Sequence, residues 1–153
     1  ERAPLWDPSA KGVFYGLSLM TSRSDLIRAV LEGVAFNLRA IERIFEGLGA
    51  EISTISLIGG GAKSTIWRRI LTSVYGRTTV VPQYVSEATS FGAAIAAGVG
   101  VGLYDGLDEC IRLVKETNRE EPDPRLVEFY DKKMEVFQSL YPALRDVFGQ
   151  TMG

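Results

Sequence analysis

The chain has 153 residues, 46% hydrophobic and 24% charged, with a formal net charge of -2; this suits one domain with a real core and gives no basic footprint for nucleic acid. It has no histidine and one cysteine, Cys110, which excludes intrachain disulfides, cysteine metal clusters, the usual zinc sites and every histidine-based triad. No apolar run reaches the ~18 residues of a membrane span and no signal-peptide pattern opens the chain, so no membrane partner and a cytoplasmic location are expected.

The first segment, Glu1 to Gly12, is polar and broken by Pro4, Pro8 and Gly12, which predicts a loop pinned to the body of the domain by Trp6. It starts without Met, as a cut into a longer protein would. Val13 to Leu19, interrupted by Gly16, is a short strand or an extended connection. A long helix is predicted from about Arg23 to Leu48. Ser22 and Asp25 offer a capping box, and Gly47 and Gly49 a stop. Ile27, Val30, Leu31, Val34, Leu38, Ile41, Phe45 and Leu48 recur at three and four, which predicts one apolar face turned to the core. Gly33 costs such a helix about 1 kcal/mol against Ala, which suggests a close neighbour. Glu32 has Arg28 and Arg39 as available partners, a simpler role than catalysis.

Ile52 to Ile58 is predicted as a buried strand, and it stops at Gly59-Gly60-Gly61. A helix follows over Ser64 to Tyr75, with Ile66, Ile70, Leu71 and Val74 inward and Gly76 ending it. Thr78 to Val81, closed by Pro82, is a second strand, and strand–helix–strand at this length predicts a parallel crossover. A glycine turn between strand and helix brings backbone amides close to a ligand, or is simply a tight turn.

Val85 to Gly98 reads as a helix of small residues, able to approach a backbone or a ligand closely; tight packing on the sheet explains most of it. The alternating Gly98, Gly100 and Gly102 are not a dinucleotide fingerprint, because no strand precedes them. Leu107 to Val114 is a short helix with Cys110 inward, a core thiol with no partner base. Glu120 to Pro124 is a linker. Asp123 then caps a last helix with Pro124 at its first position, and Leu126, Tyr130, Met134, Phe137, Tyr141, Leu144 and Phe148 form its stripe. Pro142 is expected to kink or break it.

Two patterns together resemble the C-terminal half of FGGY-family carbohydrate kinases. The first is Gly12-Val13-Phe14-Tyr15-Gly16-Leu17, then Asp25-Leu26, then Ala29-Val30-Leu31-Glu32, which meets the family's second signature at every constrained position. The second is Gly59-Gly60-Gly61-Ala62-Lys63-Ser64 with Trp67-Arg68, followed by Glu87 and Phe91-Gly92-Ala93-Ala94. Within the family, Glu1-Arg2-Ala3-Pro4, Trp6-Asp7-Pro8 and Leu140-Tyr141-Pro142-Ala143-Leu144 look most like the xylulokinase branch.

The resemblance implies an α/β, ribonuclease-H-like fold of the actin-like ATPase class, with residues 1–153 forming most of the second, nucleotide-binding domain. It implies ATP as phosphoryl donor, Mg²⁺ as cofactor and a sugar substrate, a ketopentose such as D-xylulose. Carried over by position, Gly59, Gly60, Gly61 and Ala62 lie at the adenosine end of ATP, and Thr65 stands where glycerol kinases have an Asn near the adenine amino group. Lys63 has the wrong spacing for a phosphate-binding lysine. The phosphate loops, metal ligands and catalytic Asp of the family belong to the missing N-terminal part. Asp7, Asp25 and Glu87 are therefore not assigned as the base, and the isolated chain is expected to be inactive. Exposed interdomain surface predicts self-association, a homodimer among the forms. A stand-alone nucleotide-binding or interaction module is the alternative from another class. Gluconate, ribulose, fuculose and glycerol are the alternative substrates.

Overall fold

The computed structural model describes residues 3–150, so Glu1 and Arg2 of the opening motif lie outside the described residues. In chain order the elements are α1 (Arg23–Gly47), β1 (Thr54–Ser56), α2 (Thr65–Tyr75), β2 (Thr78–Pro82), α3 (Ala88–Gly100), α4 (Leu107–Cys110), β3 (Glu116–Glu120) and α5 (Pro124–Phe148). They form two compact units. One holds the segment up to Glu51, Ser73–Gly76 and the segment from Asp123 on; the other holds Ile52–Thr72 and Arg77–Pro122.

The first unit is built on α1 and α5. The Ser22 capping box forms as expected: Asp25 N–H donates to Ser22 Oγ at 3.3 Å and Ser22 N–H to Asp25 Oδ2 at 2.9 Å. The far end closes with Gly49 at φ +92°, its N–H bonded to Glu46 O, and Ala50 N–H bonded to Phe45 O, the paired bonds of a Schellman stop. The buried face of α1 carries Ala35, Phe36 and Glu42. Phe36 meets the Tyr130 ring of α5 edge-on, 5.9 Å between centroids, and Phe137 at 5.4 Å. Tyr130, Met134 and Phe148 are the buried members of the α5 stripe.

Several expectations for this unit are corrected. Ile27, Val30, Val34, Leu38, Phe45 and Leu48 are exposed, because α5 covers the adjacent face of α1 and not this stripe. Gly33 has open space around it, so close approach is not its reason among the described residues. Val13 to Leu19 is the extended connection, exposed and not a strand. Trp6 is 79% exposed and pins nothing; the loop is held instead by Tyr141 Oη donating to Asp7 Oδ2 at 2.8 Å and Asn37 Nδ2 donating to Ala3 O at 3.2 Å. Leu126 at the start of the α5 stripe is also exposed. The α5 helix runs through Pro142 to Phe148; the carbonyl one turn before the proline, on Gln138, belongs to an exposed residue, so solvent can take the bond that the missing N–H leaves open.

The second unit is organised by a three-stranded sheet in the order β1-β2-β3. β1 and β2 are parallel, Thr54 opposite Thr78 and Ser56 opposite Val80, the crossover that the sequence predicts. β2 is buried through Thr79, Val80 and Val81. The predicted long strand shrinks to three residues; beyond it only Leu57 is buried, its N–H reaching Val80 O at 2.8 Å. β3 was not foreseen, and it takes Glu120 from the predicted linker. It pairs antiparallel with β2, Thr79 opposite Glu120. Its sequence is Glu-Thr-Asn-Arg-Glu with no apolar alternation, and such a charged strand survives at a sheet edge because it discourages further pairing.

Helix α2 buries Ile70, Leu71 and Val74 as predicted, but Ile66 is exposed. Thr72 Oγ1 donates to Arg68 O at 2.8 Å, which uses its single hydrogen, so at the 2.6 Å contact with Thr79 the Thr79 hydroxyl is the donor. Gly76 ends α2 at φ +63° against the Val127 side chain. Helix α3 is less covered than close packing on the sheet would make it: of its residues only Gly98 is buried. Alanine and glycine side chains offer little area to remove from water, so the helix gains little by burial here.

Candidate functional site

The glycine turn starts where β1 runs out. Gly59 has φ +79° and ψ -175°, a region open in practice to glycine alone. Its N–H donates to Val85 O at 3.0 Å, which ties the turn to the segment leaving β2. Gly60–Lys63 then form a single 3₁₀ turn, with Ala62 N–H bonded to Gly59 O and Ser64 N–H to Gly61 O, both 3.1 Å. Ser64 caps α2: its Oγ accepts from Trp67 N–H at 3.3 Å and its carbonyl from Arg68 N–H at 2.9 Å.

The three glycines are glycine for three different reasons. Gly59 is fixed by its backbone angle. At Gly61 a Cβ would stand 2.8 Å from two atoms of the Trp67 ring, so a side chain there collides with the indole. At Gly60 a Cβ would meet nothing within 4 Å and φ is not positive; folding of the described residues places no demand on it. Gly60, Gly61 and Thr65 are exposed, while Ala62 is 3% exposed and presents its carbonyl to Arg68. The turn thus offers a nearly side-chain-free surface with one hydroxyl beside it, which suits a flat ligand laid on backbone.

Sequence reasoning passed over the residue that braces this turn. Arg68 projects from the first turns of α2, and its guanidinium makes three contacts: Nη1 to Ala62 O at 2.9 Å, Nη2 to Thr65 Oγ1 at 3.3 Å and Nε to Glu120 Oε1 at 2.7 Å. The side chains of Arg68 and Glu120 are only 13% and 17% exposed. The Trp67-Arg68 pair is visible in the sequence; its link to Glu120, 52 positions on, is not, because β3 is invisible there.

Asp7, Asp25 and Glu32, carboxylates near the matched patterns, have structural work. Tyr141, then the Ser9 backbone, hold the Asp7 carboxyl below its ordinary pKa. The backbone and hydroxyl of Ser22 do the same to Asp25. Glu32 pairs with Arg28 at 2.7 Å and accepts from Tyr130 Oη at 2.8 Å. Glu87 stands at the start of α3 without bonding the helix through its side chain. Cys110 is buried, and burial raises its thiol pKa, as expected for a core thiol. Among the described residues no group of three or more His, Cys, Asp or Glu is placed to hold a metal ion. The donor set among the described residues does not fit Mg²⁺. No helix among the described residues is long and apolar enough to cross a membrane.

The sequence model of the FGGY family of carbohydrate kinases, C-terminal domain, matches residues 1–101. A gluconokinase from Bacillus licheniformis is 32% identical over 98% of this chain, which spans 29% of that protein. Among solved structures, a xylulose kinase from Lactobacillus acidophilus superposes with a TM-score of 0.88 at 27% identity, over 99% of this chain and 31% of its own. A gluconate kinase from the same organism gives 0.89 at 26% identity, over 99% and 30%. Xylulose kinases from Staphylococcus epidermidis and glycerol kinases are also similar, among them a Plasmodium falciparum glycerol kinase solved with ADP. The chain thus covers less than a third of the length of these relatives. The likeness places its mixed sheet and helices in the α/β, ribonuclease-H-like class expected from the sequence, as part of a domain.

Proposed function

This chain belongs to the FGGY family of carbohydrate kinases, through that family's C-terminal domain, and from that premise we propose that the whole protein transfers a phosphoryl group from ATP to a hydroxyl of a sugar, and that this chain supplies the seat for the adenosine end of the nucleotide. The observation that carries the reading is Gly60, a glycine that the fold does not require, exposed on a turn between two glycines that it does. Gly59, Gly60, Gly61 and the Ala62 backbone form the surface, and the Thr65 hydroxyl is the polar group at its side. Phosphoryl transfer also needs phosphate cradles, Mg²⁺ and a carboxylate to position the acceptor hydroxyl. These come from the remainder of the whole protein, so the isolated chain has no kinase activity.

The substrate is a ketopentose such as D-xylulose, in keeping with the xylulokinase-like flanks. Gluconate is the second reading, favoured by the gluconokinase and gluconate kinase likenesses, which match the xylulose kinase one in structure and exceed it slightly in sequence. Steady-state assays of the whole protein with xylulose, gluconate and glycerol decide among them by kcat/KM. Phosphorylation of xylulose by the isolated chain at an ordinary kinase rate (~10 s⁻¹) overturns the inactivity.

The site is tested by titrating ADP calorimetrically into the whole protein and its Gly60→Asp variant. Binding in the parent and its loss in the variant are expected, because the new carboxylate blocks the surface and repels phosphate. Equal binding overturns the assignment. Gly61→Asp is the wrong control, since it would displace Trp67 whether or not a ligand binds there.

A further inference from the structure

We infer that Arg68 is a positioning residue for the nucleotide, holding the glycine turn and the Thr65 hydroxyl in their binding geometry by anchoring both to Glu120 on β3. The inference rests on the assignment of the turn as the nucleotide seat and adds to it the residue that preorganises that seat.

Each contact of the guanidinium bears on the surface offered to a ligand. Nη1 fixes the Ala62 carbonyl, the middle of the 3₁₀ turn that carries Gly60 and Gly61. Nη2 donates to Thr65 Oγ1. That occupies an acceptor site of the hydroxyl and draws electron density from it, so the Thr65 O–H becomes a better donor toward a ligand acceptor. Nε is bonded to Glu120, and Glu120 lies opposite Thr79 on buried β2, so the anchor is part of the sheet. A guanidinium is suited to this because its donors diverge in one rigid plane; an ammonium is a single point charge. A turn held this way has no disorder left to lose when a ligand arrives, which favours affinity.

The test uses the whole protein, with ATP and sugar steady-state kinetics, ADP calorimetry and thermal melting for Arg68→Lys, Glu120→Gln and Gly60→Asp. Arg68→Lys keeps a cation for Glu120 but cannot hold Ala62 and Thr65 at the same time. We expect Arg68→Lys to melt within a few degrees of the parent, to raise the KM for ATP and the Kd for ADP about tenfold or more, and to leave the sugar KM and the kcat at saturating ATP near parental values. Glu120→Gln shifts nucleotide affinity the same way but less, and the double variant falls short of the two effects combined, as coupled residues do. Parental ADP binding in Arg68→Lys, with binding lost in Gly60→Asp, overturns the positioning role and leaves the nucleotide seat standing. A fall in melting temperature, kcat and sugar affinity together marks Arg68 as merely structural. Parental binding in Gly60→Asp overturns the seat and this inference with it.

Discussion

Tyr130 of α5 donates its hydroxyl hydrogen to Glu32 of α1, 98 positions earlier, at 2.8 Å, while the same oxygen accepts from Arg28 Nη2 at 2.9 Å. The ring is 2% exposed and packs against Phe36. Tyr130→Phe keeps the packing and removes both hydrogen bonds, leaving a partly buried carboxylate with one partner fewer. It should lower stability by about 1–2 kcal/mol, read as a lower urea midpoint at unchanged slope. A midpoint equal to the parent's means that solvent already satisfies Glu32.

The first unit should lose stability in alkali. Burial raises the phenol pKa of Tyr75 and Tyr130, and the hydrogen bond to Asp7 raises that of Tyr141. A raised pKa means that the folded chain holds the proton more tightly than the unfolded one. The stabilisation is therefore complete below about pH 10, the ordinary tyrosine value, and is lost as pH rises through the folded values. Denaturant melts from pH 8 to 11.5 should show a fall starting near pH 10, with a late phase in the phenolate absorbance at 295 nm. Melts flat across that range count against it.

How far the sequence could be read depended on whether a signal is local. Ser22, Asp25, Asp123, Pro124 and Gly49 act within a few residues of themselves, so α1 was legible at both ends and α5 at its start. The turn Gly59–Ser64 was legible for the same reason, as was the parallel crossover around it. The stripe of α1 was not, because periodicity reveals an apolar face and not what covers it. Ile27 and Leu38 are exposed while Ala35 and Phe36 are buried. β3 escaped because a strand of Glu, Thr, Asn and Arg is defined by its partner, and Arg68 escaped with it.

Gly33 in α1 and Gly92 in α3 have open space where a Cβ would go, and neither has a positive φ. In the isolated chain Gly33→Ala and Gly92→Ala should each raise stability by about 0.5–1 kcal/mol through helix propensity. Thermal melts measure this directly. If either variant binds ADP more weakly in the whole protein while stabilising the isolated chain, that glycine faces a surface supplied from elsewhere in the protein.

Ile27, Val30, Val34, Leu38 and Phe45 follow one another at three- and four-residue steps or two turns along α1, and each is more than a third exposed; an unpartnered apolar row of this kind favours association. The isolated chain should self-associate, with an apparent mass that rises with concentration in size-exclusion chromatography. Val30→Glu with Leu38→Glu should return it toward 16.8 kDa. A parent monomeric at millimolar concentration overturns this expectation.

The neighbouring glycines at 59, 60 and 61 would answer differently to random mutagenesis. Selection for foldability alone would keep position 59 as glycine, because no other residue rests at that backbone angle. It would favour a larger residue at 61 in clones whose Trp67 had moved or been replaced, a pairwise signature of the indole contact. Position 60 would drift freely under that selection; the proposed nucleotide seat requires that it freeze once growth depends on the whole protein's activity. One library passed through two sieves would thus separate, letter by letter, what the chain needs in order to exist from what it needs in order to work.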